Sequence, residues 1–220
     1  MRIGEQYEAV IATLYRPWTL DPLVEDMESH GIRVHVIEGM YTNEAWNEGL
    51  SRVERPYAIV SNDDILVPIA DEGTSWLDRL HAHHEAGFTW VAPRPYWMPR
   101  VFRGVRHPAP EGSGDLGHFF SMNRSVDVPQ VPDELKIAYG DNWFFEHHRA
   151  AGRCCRALDI EIQTGRAMGH DEQSGYSVCR ARAEGRDVDA VQDRDQVLAK
   201  GYFEFSARGY IAGLRETVDA

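Results

Sequence analysis

The chain has 220 residues and a mass of 25.0 kDa, which is enough for one sizeable domain with its own core. Hydrophobic residues make up 43% of it and charged residues 26%, so disordered and collagen-like proteins are excluded. The formal net charge of -12 argues against a protein whose whole surface binds nucleic acid, although it allows a local basic patch.

No apolar run is long enough for a membrane span, and the first residues lack the apolar stretch of a signal peptide. The three cysteines are Cys154, Cys155 and Cys179, and they form no CxxC pair. Reduced thiols suit a cytosolic protein. We therefore expect no membrane span and a cytoplasmic location.

Strand and helix patterns alternate from the start of the chain. Tyr7 to Leu14 predicts a strand, and Asp21 to His30 predicts a helix that begins with Pro22 at its first position and stops at Gly31. Ile32 to Ile37 alternates apolar and polar residues and predicts a second strand.

The alternation continues through a helix at Asn43 to Val53 and a strand that begins at Tyr57. Further helices are predicted at Asp71 to Gly87 and from about Tyr139 to Ala151. Further strands are predicted at Phe88 to Ala92, Gly117 to Met122 and Ala157 to Gln163. This order predicts an α/β fold with a mostly parallel, doubly wound, Rossmann-like sheet and helices on both faces.

The last part of the chain, residues 179–220, is charged and has loose helical spacing of its apolar residues. Its apolar content is too thin for a core of its own. We therefore expect a C-terminal helical extension that packs on a domain spanning residues 1–178.

The stretch from Tyr57 to Pro68 contains the strongest signal of a binding site. The apolar run Ala58-Ile59-Val60 predicts a strand buried on both faces, and Asn62-Asp63-Asp64 follows it directly. Ligands of open α/β sheets bind beyond the carboxyl ends of the strands, and two adjacent carboxylates there suit a divalent metal. The alternative is an Asx-type turn that only closes the strand.

A second signal is the segment from Pro93 to Pro110, which is basic in an acidic chain. It contains four arginines among three aromatic rings: Arg94, Arg100, Arg103 and Arg106 with Tyr96, Trp97 and Phe102. This composition suits a partner that carries phosphate or a ring. The alternative is that the rings are half-buried and the arginines pair with surface acids.

Two groups of histidines lie in predicted helices, namely His81, His83 and His84 in one and His147 and His148 in the other. Each group could bind a metal, but a solvated helix face is the expectation for both.

Taken together, the motifs between about residues 8 and 175 resemble those of a family 2-type glycosyltransferase with the GT-A fold. Ala9 to Thr13 with Arg16 resembles the family's first strand and nucleotide-facing turn, and Asn47 with Gly49 resembles its Asn-x-Gly signature. Asn62-Asp63-Asp64 resembles the DxD motif in its Asn-x-Asp form.

The second half carries two further matches. Pro132-Asp133-Glu134 with Tyr139 to Trp143 resembles the stretch that bears the acceptor-side base, and His170 with Ser174 resembles a late metal ligand. Many relatives have Glu-Asp where this chain has Asp141-Asn142, so the resemblance leaves Asp141 as the only residue of that pair able to act as the base.

The resemblance implies a set of site residues. Asp141 is the expected catalytic base, and Asp64 with His170 is expected to bind Mn²⁺ or Mg²⁺. The expected nucleotide-sugar contacts are Thr13, Arg16, Glu38, Asn47, Asn62, Asp63 and Asp64. The expected acceptor-side contacts are Arg94, Trp97, Arg100 and Trp143.

The implied activity is inverting transfer of a hexose from UDP-sugar or another nucleotide diphosphate sugar to a hydroxyl group. Residues 1–92 would bind the donor and residues 93–178 the acceptor, in a bacterial or phage-infected cell. The acceptor could be a glycan, a protein or a hydroxylated base in phage-type modified DNA. The alternatives are a nucleotide- or sugar-binding module that has lost its chemistry and a metal-dependent phosphoesterase.

Overall fold

The computed structural model describes residues 2–13, 17–38, 41–70, 73–96, 106–108, 119–164, 185, 187–206 and 211–215. The described strands are β1 (Tyr7–Thr13), β2 (Arg33–Glu38), β3 (Tyr57–Asn62), β4 (Ile69–Ala70), β5 (Trp90–Pro95), β6 (Arg106–Pro108), β7 (Phe119–Asn123), β8 (Cys154–Ile162), β9 (Phe203–Phe205) and β10 (Ile211–Leu214). The described helices are α1 (Pro17–Ser29), α2 (Thr42–Ser51), α3 (Trp76–Glu85), α4 (Gly140–Ala151) and α5 (Val188–Tyr202).

Eight strands form one mixed sheet in the order β2-β1-β3-β7-β5-β8-β4, with β6 paired to β8. Its three longest ladders are parallel and join β1 to β2, β1 to β3, and β5 to β8. Strand β7 runs antiparallel between β3 and β5. The predicted α/β class with a mostly parallel sheet is confirmed.

The sheet has a hydrophobic core on each face. Leu23 of α1 and Leu80 of α3 belong to one core, and Trp46 of α2, Phe144 of α4 and Ala199 of α5 belong to the other. Helices therefore cover both faces, as the doubly wound pattern predicts. None of the helices in the described ranges is long and apolar enough to cross a membrane.

Gly49 has a packing role in this arrangement. A Cβ atom at this position would lie 2.2 Å from Cγ1 of Val10 in β1, which is far inside van der Waals contact. Helix α2 therefore packs on β1 at a distance that only glycine allows. This close approach is a physical reason for the glycine in the Asn-x-Gly signature.

Helix α1 differs from its prediction at the N-terminus. It begins at Pro17, and Pro22 lies inside it. Pro17 takes the first helical position, where a missing N–H costs nothing, and the buried stripe of Leu20, Leu23 and Met27 holds the helix together across Pro22. The prediction that Pro22 starts the helix was wrong because the pattern of burial outweighed the local proline signal.

The expectation that the histidines lie on solvated faces was also wrong. His81 hydrogen bonds with the Tyr7 hydroxyl, His83 with Asp159, and His84 with the Ser121 hydroxyl and the Phe88 carbonyl. All three histidines are buried between α3 and the sheet, and His148 of α4 is only 1% exposed. These side chains act as core residues.

Burial of two histidines should make the fold sensitive to acid. Desolvation lowers the pKa of both His84 and His148 to about 4. Their unfolded pKa is about 6.5, so the unfolded state takes up protons first and stability is lost as the pH falls from about 6.5 toward 4. We expect the free energy of unfolding to fall by about 3 kcal/mol between about pH 7 and pH 5, measured by urea denaturation.

The matched variant for this prediction is His148→Gln, which keeps a neutral polar side chain. It should show about half of the loss of stability over the same pH range, since one of the two titrating groups is gone. An undiminished loss in the variant would assign the acid sensitivity to other groups.

The described part of the predicted C-terminal extension contains α5 and an antiparallel hairpin of β9 and β10. Ala199, Phe203 and Ile211 are buried in the same core as Trp46 and Phe145. The hairpin was not anticipated from the sequence, which suggested helix throughout. The extension completes one of the two cores of the domain.

Candidate functional site

The carboxyl ends of β1, β2 and β3 lie side by side. In the parallel ladders, Thr13 at the end of β1 is opposite Glu38 at the end of β2, and Ala12 is opposite Asn62 at the end of β3. The loop after β3 begins with Asp63 and Asp64. The structure therefore brings Thr13, Glu38 and the Asn62-Asp63-Asp64 motif to one edge of the sheet.

Asp63 ties the elements at this edge together. The Thr13 hydroxyl donates a hydrogen bond of 2.7 Å to Asp63 Oδ2, and the Thr19 hydroxyl of α1 donates to the Asp63 carbonyl. The Asp63 side chain is 5% exposed, whereas Asp64 beside it is half-buried. The two acids therefore differ in their surroundings, and Asp63 fixes the loop that presents Asp64.

Asn47 contacts the segment between β7 and α4. Its amide nitrogen donates to the Val131 carbonyl at 2.8 Å, and its amide oxygen accepts the Val131 N–H at 2.9 Å. The structure thus places this side chain against the main chain of the segment between β7 and α4. These contacts give Asn47 a structural role in holding that segment on α2, and its predicted nucleotide contact stays a prediction.

Asp141 lies in the first turn of α4, as the sequence predicts. The preceding residue Gly140 is pressed against α2, since a Cβ atom there would lie 2.0 Å from Asn43 Oδ1. Helix α2 follows β2 after three residues, so its N-terminus lies near the carboxyl end of that strand. Asp141 therefore lies toward the edge of the sheet at which β1 and β2 end, where Thr13 and Glu38 also lie.

Tyr139 precedes α4 and lies near two carboxylates, which affect the pKa of its hydroxyl group. Burial raises the pKa of its hydroxyl first, and the carboxylates of Asp141 and Asp195 raise it further. Tyr139 also has a φ of 66°, and it is the only non-glycine residue with positive φ in the described ranges. A strained residue next to two carboxylates is typical of a functional segment.

Trp143 is half-buried between two parts of the chain. Its indole nitrogen donates to the Pro129 carbonyl at 2.9 Å, and its ring contacts those of Tyr202 and Phe203 at the end of α5. The acceptor-side role predicted for Trp143 stays a prediction, and its contacts show that it joins α4 to the C-terminal extension.

Arg94 follows the alternative interpretation of the basic segment. It lies in β5 with 2% of its surface exposed, and its guanidinium forms an ion pair with Glu161 of β8. These contacts give Arg94 a structural role in joining β5 to β8, and its predicted acceptor-side role stays a prediction. The other predicted residues Arg16, Trp97, Arg100 and His170 lie outside the described residues.

The donor atoms at the strand ends suit a hard divalent cation. Carboxylate and amide oxygens from Asp64 and Asn62 are ligands that Mg²⁺ and Mn²⁺ accept. Among the residues that the structure describes, no three acids, histidines or cysteines form a ready metal site. A cation that completes its coordination with phosphate oxygens of a substrate requires only one or two carboxylates, and this edge provides them.

Two polar residues that hold the segment before Asp141 were missed by sequence reasoning. Asn43 at the start of α2 donates from its amide to the carbonyls of Leu135 and Ala138. Asp195 of α5 accepts hydrogen bonds from three consecutive main-chain N–H groups at residues 136–138. Neither lies in a recognisable motif, and Asp195 stands in a charged helix that reads as solvated.

Comparison with known proteins relates this fold to solved structures. A197 from STIV matches with a TM-score of 0.50 and 16% identity, over 71% of this chain and 84% of that one. Residues 1–349 of TarS from S. aureus match with a TM-score of 0.45 and 12% identity, over 89% of this chain and 70% of that one.

A Drosophila β1,4-galactosyltransferase 7, solved with manganese, UDP-Gal and xylobiose, matches with a TM-score of 0.39 and 12% identity, over 69% of this chain and 65% of that one. No family model and no curated protein matches the sequence. At these identities a likeness shows the fold alone, and the chain has a GT-A-like α/β fold.

Proposed function

We propose that the protein is a metal-dependent glycosyltransferase that moves a sugar from a nucleotide diphosphate to an acceptor hydroxyl. One observation carries the proposal. Polar side chains at the carboxyl ends of three adjacent strands, including the Asn62-Asp63-Asp64 motif, share one edge of a GT-A-like sheet, and Asp141 lies in the first turn of a helix that begins against Asn43 of α2. That edge is where open α/β sheets bind their ligands.

In this proposal the first half of the chain binds the donor. Thr13, Glu38 and Asn62 would line the nucleotide together with Arg16, and Asp64 with His170 would hold Mn²⁺ or Mg²⁺. Asp63 acts indirectly, because its buried carboxylate bonds Thr13 and thereby shapes the loop. When bound, the cation supplies Lewis-acid stabilisation of the charge on the leaving diphosphate.

Asp141 is the proposed general base. It takes the proton of the acceptor hydroxyl as the oxygen bonds to the anomeric carbon, and the electron pair of the broken glycosidic bond leaves with the diphosphate. A single direct displacement inverts the anomeric centre. The base is half-buried at a helix N-terminus, where a carboxylate is stabilised by the unpaired amides.

The acceptor would approach from the side of Trp143 and the segment around Trp97 and Arg100. A hexose is the proposed group transferred, and the acceptor hydroxyl belongs to a glycan, a protein or a hydroxylated DNA base. The location that we propose for the reaction is the cytoplasm.

A second candidate is a nucleotide- or sugar-binding module without catalysis. It is favoured by Asn142, which stands beside Asp141 and cannot take a proton. Under this alternative the donor site would bind its nucleotide and the bound sugar would not be turned over.

Calorimetric titration of the wild-type protein with a panel of nucleotide diphosphates and their sugars, with and without Mn²⁺, tests the donor site. We expect one nucleotide to bind at least about 100-fold more tightly with Mn²⁺, because Asp64 would hold the cation and its positive charge would attract the diphosphate. Absence of binding across the panel would refute the proposal. If a donor binds, release of free sugar from it would indicate the transferase, and binding without release would indicate the binding module.

A further inference from the structure

We propose that Asp195, in the C-terminal helix α5, is a positioning residue for the general base Asp141. The inference rests on the proposed function, because it gives a catalytic consequence to a contact 54 residues from the base along the chain. The route runs from Asp195 to the segment 135–138, through the turn at Tyr139 and Gly140, and into the first turn of α4.

The first step is the hold that Asp195 has on the segment. Its carboxylate is 0% exposed, and Oδ2 accepts from the main-chain N–H groups of residues 136, 137 and 138 at 2.9, 2.7 and 3.0 Å. Three successive amides around one anionic oxygen form strong, charge-assisted bonds in a buried site. The other oxygen, Oδ1, is buried without a hydrogen-bond partner, so these three bonds carry the stabilisation of this carboxylate.

The second step is the opposing hold from α2. The Asn43 side chain donates to the carbonyls of Leu135 and Ala138, both at 3.0 Å, and the Asn43 N–H donates to the Lys136 carbonyl at 3.0 Å. The amides of the segment therefore face α5, while three of its carbonyls face α2. Hydrogen bonds from both sides therefore restrict the backbone of this segment to one conformation.

The third step connects the fixed conformation of residues 135–138 to Asp141. Tyr139 adopts the left-handed conformation, which costs energy for a residue with a side chain, and Gly140 lies against Asn43 where a Cβ would collide. Such a turn persists only when its surroundings impose it. The hydrogen bonds from residues 136–138 to Asp195 hold the turn in place from one side. Asp141 is the next residue after the turn.

The test is Asp195→Ala. We expect kcat for transfer of the donor sugar to water to fall about 10- to 100-fold, because a base displaced by about 1 Å loses that much rate. Donor KM and the affinity for the nucleotide with Mn²⁺ should stay within about twofold of the wild-type values, since the proposed donor contacts lie at the ends of β1, β2 and β3. Asp195→Asn keeps an oxygen that accepts N–H groups and should restore most of the rate.

The matched control is Asp187→Ala. Asp187 caps the same helix by accepting the Ala190 N–H at 3.0 Å, and it has no bond with residues 136–138. Its loss weakens α5 without releasing the segment, so kcat should stay near that of the wild type. Equal losses of kcat in Asp187→Ala and Asp195→Ala would reduce Asp195 to a residue that only docks the helix and would overturn the proposal.

Amide hydrogen exchange separates this inference from the proposed function. In Asp195→Ala the amides of residues 136–141 should exchange at least tenfold faster, while those of β1 and β3 stay protected. Unchanged exchange at 136–141, or faster exchange with full kcat, overturns the positioning role. A wild type that turns over no donor counts against the proposed function instead, and exchange still decides whether Asp195 holds the segment.

Discussion

Replacement of Asp64 with alanine is expected to abolish the metal-dependent part of donor binding. If the carboxylate is the protein's main charged ligand to the cation, the affinity for the nucleotide with Mn²⁺ should fall at least about 100-fold, equivalent to about 2.7 kcal/mol. Binding without metal should change little. Titration of the variant in both conditions measures the two effects separately.

Asp127→Ala is the control for the loss of one negative charge. Asp127 is exposed and follows β7 beyond the end of the sheet where β3 begins, which is the edge away from Asp64. This variant should bind the donor as the wild type does. A similar loss of affinity in Asp127→Ala, or an unchanged Mn²⁺ dependence in Asp64→Ala, would contradict the assignment of Asp64 as a ligand.

Asp63→Ala offers a contrast within the same motif. It removes the hydrogen bond from Thr13 and leaves that hydroxyl without this acceptor near the buried strand ends. We therefore attribute to Asp63 a contribution to folding as well as to binding, whereas Asp64 is half-buried and contributes to binding. We assign the two neighbouring acids separate roles because Asp63 is buried whereas Asp64 is half-buried.

The fold was predictable because its signals are local. Strand β1 is buried along its whole length and contains the apolar run from Ala9 to Ala12, and α4 begins and ends where Tyr139 and Gly152 indicate. The meeting of the strand ends was predictable for a related reason. Carboxyl ends of parallel strands meet at one edge, so Thr13, Glu38 and Asn62 are brought together by topology alone.

The remaining features depend on contacts between distant parts of the chain. Nothing near Asp195 in sequence marks it as buried, because its partners are main-chain amides of residues 136–138. His83 and Arg94 read as surface residues until Asp159 and Glu161 of β8 are placed beside them. Composition describes such residues as polar, and only the packed structure shows which polar residues are paired in the core.

The second large effect is expected for Asp141→Asn. Asparagine keeps the shape of the side chain and cannot accept the proton of the attacking hydroxyl, so kcat should fall by about 10²- to 10⁴-fold. The affinity for the donor and its Mn²⁺ dependence should not change, because the strand ends are untouched. Single-turnover measurement of donor consumption separates this loss of chemistry from a loss of binding.

Asp78→Asn is the matched control, because Asp78 is likewise an acid in the first turn of a helix, α3, and is exposed. Both variants lose the favourable interaction of a carboxylate with the helix N-terminus, which is worth about 0.3–1 kcal/mol. Only the loss of Asp141 should affect kcat. If Asp141→Asn kept the wild-type rate, the base would have to be another group, and the case for Asp195 as its positioning residue would fall with it. If donor affinity fell together with the rate, Asp141 would belong to the donor site, and the proposed division between the donor-binding and acceptor-binding halves would need to be redrawn.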